Sequence, residues 1–172
     1  MNIFALVEFD DQGSLCTFYT LRWDDSKLSE TEKFIQKFRK DKQFKDSLQQ
    51  LAKFLEINIG NEHGALEALF RFENAAHALP KSGNLLVGEV TINYGNFPLR
   101  LYCLRISETL VILFNGGEKT DRTAQGGKTS MVFIEANQFA KRILDAIYQQ
   151  EIYITPNKRE FRNFNGSEEI IL

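Results

Sequence analysis

The residues with the clearest chemical potential are cations placed on and just beyond two apolar runs. In Leu99-Arg100-Leu101-Tyr102-Cys103 the alternation of an extended chain puts Arg100 and Tyr102 on one face and Leu99, Leu101 and Cys103 on the other. Lys119 and Arg122 follow a second apolar run that ends at Phe114. An arginine on one strand and a Lys/Arg pair at the mouth of the next can converge on a single phosphodiester. Such cations stabilise the charge that builds on the phosphorane and the leaving oxygen during 2′-hydroxyl attack. No histidine is required if another group takes the proton. The competing reading is an edge of exposed arginines in surface ion pairs, each of modest value.

Other chemical signatures are missing from the sequence. It holds no Walker loop, no G-x-G-x-x-G, no H-E-x-x-H, no C-x-x-C and no G-x-S-x-G. His63 and His77 are the only histidines, fourteen residues apart, and read as surface or structural residues rather than metal ligands. Gly116-Gly117 could cradle a phosphate, although a Gly pair ending a strand more often makes a tight turn. Cys16 and Cys103 lack metal spacing and read as buried, reduced thiols. No metal and no cofactor is expected.

The elements that must position the cations are legible around them. Residues 97–106 and 109–114 are β-prone runs separated by Ser107-Glu108, which predicts an antiparallel hairpin. The second run is apolar at every position, as in a strand buried on both faces in mid-sheet. Upstream, residues 2–9 and 15–23 read as a hairpin around Asp10-Asp11-Gln12-Gly13. Ser29 and Glu32 form a capping box. It opens two helices, or one bent helix, over residues 30–56, broken near Lys40-Asp41. The outer face of that stretch carries Lys33, Lys37, Arg39, Lys40, Lys42, Lys45 and Lys53, a solvated face or a surface that meets a nucleic acid or an acidic partner.

Residues 58–64 read as a linker, 65–72 as a short helix or strand, and 85–94 as a further strand. Residues 135–150 give the clearest helix, with Ala136, Phe139, Ala140, Ile143, Leu144 and Ile147 on one stripe. A short strand over 151–154 precedes a tail, 156–172, that pairs as an edge hairpin or docks on a partner. The predicted fold is one α+β domain over residues 1–172. An antiparallel sheet centred on residues 85–114 carries the N-terminal helices and a C-terminal helix.

Composition bounds the function. The chain has 172 residues, 43% hydrophobic and 26% charged, with fifteen Phe and one Trp, so a Phe-rich core is expected. The net charge of −2 argues against a chain that is basic throughout. A local patch remains open, because residues 97–142 carry seven cations against four carboxylates, a net +3. The N-terminus lacks a basic n-region and no run reaches membrane-spanning length, which predicts a cytoplasmic protein.

Leu99-Arg-Leu-Tyr-Cys-Leu-Arg105, then Leu110-Val-Ile-Leu-Phe114 and Gly116-Gly-Glu-Lys-Thr120, followed by Ala140-Lys-Arg-Ile143, resembles the C-terminal half of RelE/HigB-type toxins. Leu69-Phe-Arg-Phe72 and Ala78-Leu-Pro80 are similar to the segment before the sheet in HigB-like members, so the match covers roughly residues 65–148. The resemblance implies a RelE-like fold, with an extra N-terminal hairpin and a C-terminal tail on this chain. It implies the toxin of a type II toxin–antitoxin module, a ribosome-dependent mRNA endonuclease silenced by a cognate helix-turn-helix antitoxin. It further implies Arg100 as the strand arginine on the scissile phosphate, Lys119 and Arg122 as the basic residues after the last strand, and Arg71 as a second arginine. Tyr102, Arg105 and Lys128 complete the RNA-binding surface on this reading. The alternative is a non-catalytic partner-binding protein on the same scaffold.

Overall fold

The structure, a computed structural model, describes residues 3–10, 13–81, 84–87, 90–93, 95, 97–119 and 130–172. Eleven strands are found among them: β1 (Phe4–Asp10), β2 (Thr17–Trp23), β3 (Arg71–Glu73), β4 (Ala76–Leu79), β5 (Asn84–Val87), β6 (Val90–Asn93), β7 (Leu99–Ser107), β8 (Leu110–Glu118), β9 (Ile152–Ile154), β10 (Phe161–Asn163) and β11 (Ile170–Ile171). The α-helices are α1 (Glu30–Arg39), α2 (Lys45–Lys53) and α3 (Ser130–Tyr148). Seven strands form one sheet in the order β11-β1-β2-β8-β7-β4-β3.

The β7–β8 hairpin forms where the two apolar runs predict it, and β8 lies in mid-sheet. Alternation sorts its side chains between two cores. Tyr102, Leu104, Ile112 and Phe114 pack under Phe133, Ala136, Phe139, Ala140 and Ile143 of α3. On the opposite face, Leu99, Leu101, Cys103, Val111 and Leu113 meet Phe34, Phe38, Leu48 and Leu51 of the first two helices. A strand apolar at every position is thus satisfied by a helical layer on each side. Cys16 and Cys103 are buried free thiols, and burial pushes the Cys16 thiol up to about 12.

The sheet is mixed rather than purely antiparallel, because β2 pairs with β8 in parallel, Thr17–Thr20 against Leu110–Leu113. Beyond Thr20 the two strands part and the first turn of α1 enters the gap. There the Thr31 hydroxyl lies 2.7 Å from that of Thr20 and donates to the Phe114 carbonyl at 3.0 Å, while Asn115 Nδ2 donates to Glu30 Oε2 at 3.2 Å. The capping box holds that turn: Ser29 N–H donates to Glu32 Oε2 at 2.7 Å, and Glu32 N–H donates to Ser29 Oγ at 3.2 Å.

Three further expectations change. The segment 85–94 is not one strand of the main sheet: Val87 pairs with Val90, so β5 and β6 form a separate hairpin. The neighbour of β7 is β4, through His77↔Cys103 and Leu79↔Leu101, and β3 lies outside it. Residues 58–64 are not a linker, since α2 continues as a π-helical segment, Phe54–His63, that stops at Gly64 with φ +74°. Ile59 is fully buried within that segment, and tertiary packing holds it in place.

The last helix starts a turn earlier than its apolar stripe implies. The tail docks on its own chain: β10 pairs with β9 in a separate two-stranded sheet, and β11 adds to the main sheet along β1. Arg159 fastens it, donating to Thr17 Oγ1 at 2.9 Å, to the Ser14 carbonyl at 2.8 Å and to the Gly13 carbonyl. Among the described residues, no helix is long and apolar enough to cross a membrane.

Candidate functional site

Arg71 and Arg100, separated widely in sequence, gather around Glu73 at one end of the sheet, and Lys119 lies near enough to feel both arginines. Adjacent positions across β3, β4 and β7 make this possible. Arg71 pairs with Ala78, and Ala78 with Tyr102, so Arg71 and Glu73 stand on the face that carries Tyr102 and Arg100. Arg71 Nε lies 2.9 Å from Glu73 Oε1, and Arg100 Nη1 lies 3.9 Å from the same oxygen. Arg100 and Glu73 are 3% and 6% exposed. Arg100 is therefore not one of an edge of exposed arginines.

Lys119 leaves the end of β8, where its N–H donates to the Pro98 carbonyl at 2.7 Å and ties the two strand ends together. Its ammonium is held below the ordinary lysine value, chiefly by burial, then by repulsion from Arg100 and Arg71. The three cations thus share one electrostatic environment. Two guanidinium groups beside the one carboxylate of Glu73, with the Lys119 ammonium near enough to feel both, make a setting that attracts an anion.

Gly116 is required by the same construction. It pairs with Leu101, and a Cβ there would meet the Arg100 carbonyl oxygen and the backbone of Leu101. Between Leu101 and Cys103 the register of β7 on β8 shifts. Asn115 closes this irregularity through its side chain, with Gly116 N–H donating to Asn115 Oδ1 at 2.8 Å and Asn115 Nδ2 reaching Glu30. Close by, Lys33 pairs with Glu30 at 2.5 Å, and burial with repulsion from Glu30 raises the Glu135 carboxyl.

The other expected contacts separate from this cluster. Tyr102 is 0% exposed and meets the Phe133 ring edge-on at 6.0 Å, so its ring is part of the core and is not presented to RNA. Arg105 lies five residues further along β7, roughly 17 Å away at strand rise, with its side chain toward the opposite face. Its Nε donates to the Ala65 carbonyl at 2.6 Å, which makes it a brace for the segment before β3. Arg122 and Lys128 lie outside the described residues.

His77 accepts a hydrogen bond from Arg105 N–H on Nδ1 at 3.3 Å, and His63 Nε2 sits 3.7 Å from Glu62. Both are accounted for structurally. Among the described residues no group of three His, Cys, Asp or Glu is placed to hold a metal.

Glu73 is the site residue that sequence reasoning passed over. The signal was the triplet Arg71-Phe72-Glu73: read as a strand, it puts opposite charges on one face two residues apart. An apolar cavity of about 220 Å³ lies elsewhere, between the first two helices and the sheet, among Phe18, Phe34, Leu48, Leu51 and Leu113. None of the three clustered cations lines it. No protein-family model, curated protein or solved structure matches this chain.

Proposed function

We propose that this chain is a RelE/HigB-type endoribonuclease, the toxin of a toxin–antitoxin module acting on mRNA at the ribosome, with a helix-turn-helix antitoxin as its partner. The observation that carries the reading is the convergence of Arg71, Arg100 and Lys119 on one site at the strand ends. A phosphodiester drawn there would face two planar guanidinium forks and an ammonium.

The 2′-oxygen attacks the adjacent phosphorus, the bond from phosphorus to the 5′-oxygen breaks, and a 2′,3′-cyclic phosphate remains. Arg71 and Arg100 stabilise the charge on the non-bridging oxygens, and Glu73 is their counter-ion. Lys119, its ammonium acidified by burial and by two like charges, gives its proton to the departing 5′-oxygen, while water takes the proton of the 2′-hydroxyl. The RelE-like placement of these groups belongs to the same proposal.

The test is cleavage of mRNA on ribosomes and of free RNA by purified variants, with melting curves to confirm folding. Arg100→Ala and Lys119→Ala should each cost a factor of about 10²–10³ in rate. Their combination should lose less than the product of the two factors, since both act on one transition state. Arg100→Lys should rescue little, because an ammonium cannot grip two oxygens at once. A specific observation favours a second reading, a non-catalytic partner-binding protein: Arg100 is 3% exposed and already lies near Glu73. Cleavage that survives both substitutions, or that the wild type never shows, would select that reading.

A further inference from the structure

The alternation that places Arg71 and Glu73 toward the cation cluster sends Phe72, between them, to the other face of β3. Phe72 is 64% exposed, a large apolar ring left in solvent beside a charged site. Among the described residues β3 ends the sheet, so the ring stands at an open edge. It is not loosely held. Its register partner is His77, whose ring lies 5.1 Å away at 46°. His77 is fixed in turn by Phe70, edge-on at 6.0 Å, and by the Arg105 N–H on its Nδ1. That acceptor role calls for a neutral imidazole, and burial, followed by the Arg105 charge, holds its pKa down.

A braced, exposed aromatic ring one residue from Arg71 of the cation cluster is the pairing that grips single-stranded nucleic acid. The phosphate is taken by charge and the base by stacking, which is insensitive to sequence because every base has a flat face. We propose that Phe72, backed by His77, is a stacking platform for a nucleobase next to the phosphate held by Arg71, Arg100 and Lys119, so that a single strand crosses the sheet at the β3 edge. The inference rests on the phosphodiester reading of the cation cluster. A β3-pairing peptide would also use this edge. The guanidinium of Arg71, still 30% exposed at that edge, favours a polyanion instead.

The experiment measures anisotropy of a labelled single-stranded oligo(dU), which lacks the 2′-hydroxyl and cannot be cleaved, and of an abasic sugar–phosphate chain of equal length. Phe72→Ala should weaken oligo(dU) binding roughly 5- to 100-fold and leave the abasic chain unchanged. Phe72→Trp should retain affinity, and its indole emission should be quenched by oligo(dU) but not by the abasic chain. Arg71→Ala should weaken both probes. If Phe72→Ala binds oligo(dU) like the wild type while Arg71→Ala does not, the platform is wrong and the cation site stands. Wild-type protein that binds neither probe overturns both readings. Loss of a co-expressed protein partner on Phe72→Ala, with oligo(dU) affinity intact, would assign the edge to a protein and also overturn the platform.

Discussion

The Arg100 carbonyl oxygen occupies the space that a side chain on Gly116 would need. The two residues lie on neighbouring strands at the register shift, and the Phe34 ring of α1 is 2.9 Å from where that Cβ would stand. Two backbones and an aromatic ring meet where only hydrogen fits. Gly116→Ala should therefore cost on the order of 1–3 kcal/mol in denaturant melts, the range for overpacking, and should displace Arg100. Unchanged stability would show that the hairpin can move apart there without loss.

Lys119 gives the site a pH signature. Its ammonium is lost at lower pH than the ordinary 10.5, because burial and the two arginines disfavour its charge. If it donates the proton to the leaving oxygen, the rate should fall on the alkaline side below that value. Arg71→Ala removes one like charge, so the rate should drop overall while the alkaline limb moves to higher pH. A limb that stays put in Arg71→Ala and disappears in Lys119→Ala would show that the guanidinium does not act on the ammonium.

Glu135 should make stability fall as pH rises from its unfolded value through its raised folded one. Its folded pKa is raised above 4.5 by burial and by Glu30, with Lys33 opposing them. The neutral carboxyl is favoured in the fold, so its contribution is present below the unfolded value and is lost as pH rises through the folded one. Glu135→Gln should raise the melting temperature at pH 7 relative to the wild type, and the gain should vanish near pH 4. Equal gains at both pH values would point to amide hydrogen bonding instead of relief of repulsion.

The apolar stripe of α3 predicts a strong dependence on Ile143, which is 0% exposed under the sheet. Ile143→Ala should destabilise by about 2–5 kcal/mol, the loss of transfer energy plus the cavity left behind. A loss well under 1 kcal/mol would mean that the helix relaxes onto the sheet and fills the space.

Much of this architecture is written locally. Alternation in Leu99–Ser107, the unbroken apolar run of β8, the Ser29/Glu32 box and the stripe of α3 each act over a few residues. Placing Arg100 and Tyr102 on one face followed from the same rule, as did the position of Lys119 just past a strand end. Which strands become neighbours is not local. The parallel pairing of β2 with β8, and the placing of β4 and β3 beside β7, came from burying both faces of β8 under helices distant in sequence. That choice delivered Arg71 and Glu73 to Arg100, and it buried Tyr102 beneath α3. Arg105 faces away from Arg100 by the local rule, because alternation over an odd number of residues reverses the face. The sequence by itself determined which residues alternate and where elements begin. Only tertiary packing decided which alternating faces meet, because a strand's hydrogen-bonding edges are the same whatever its side chains, and its neighbours are chosen by the burial they share.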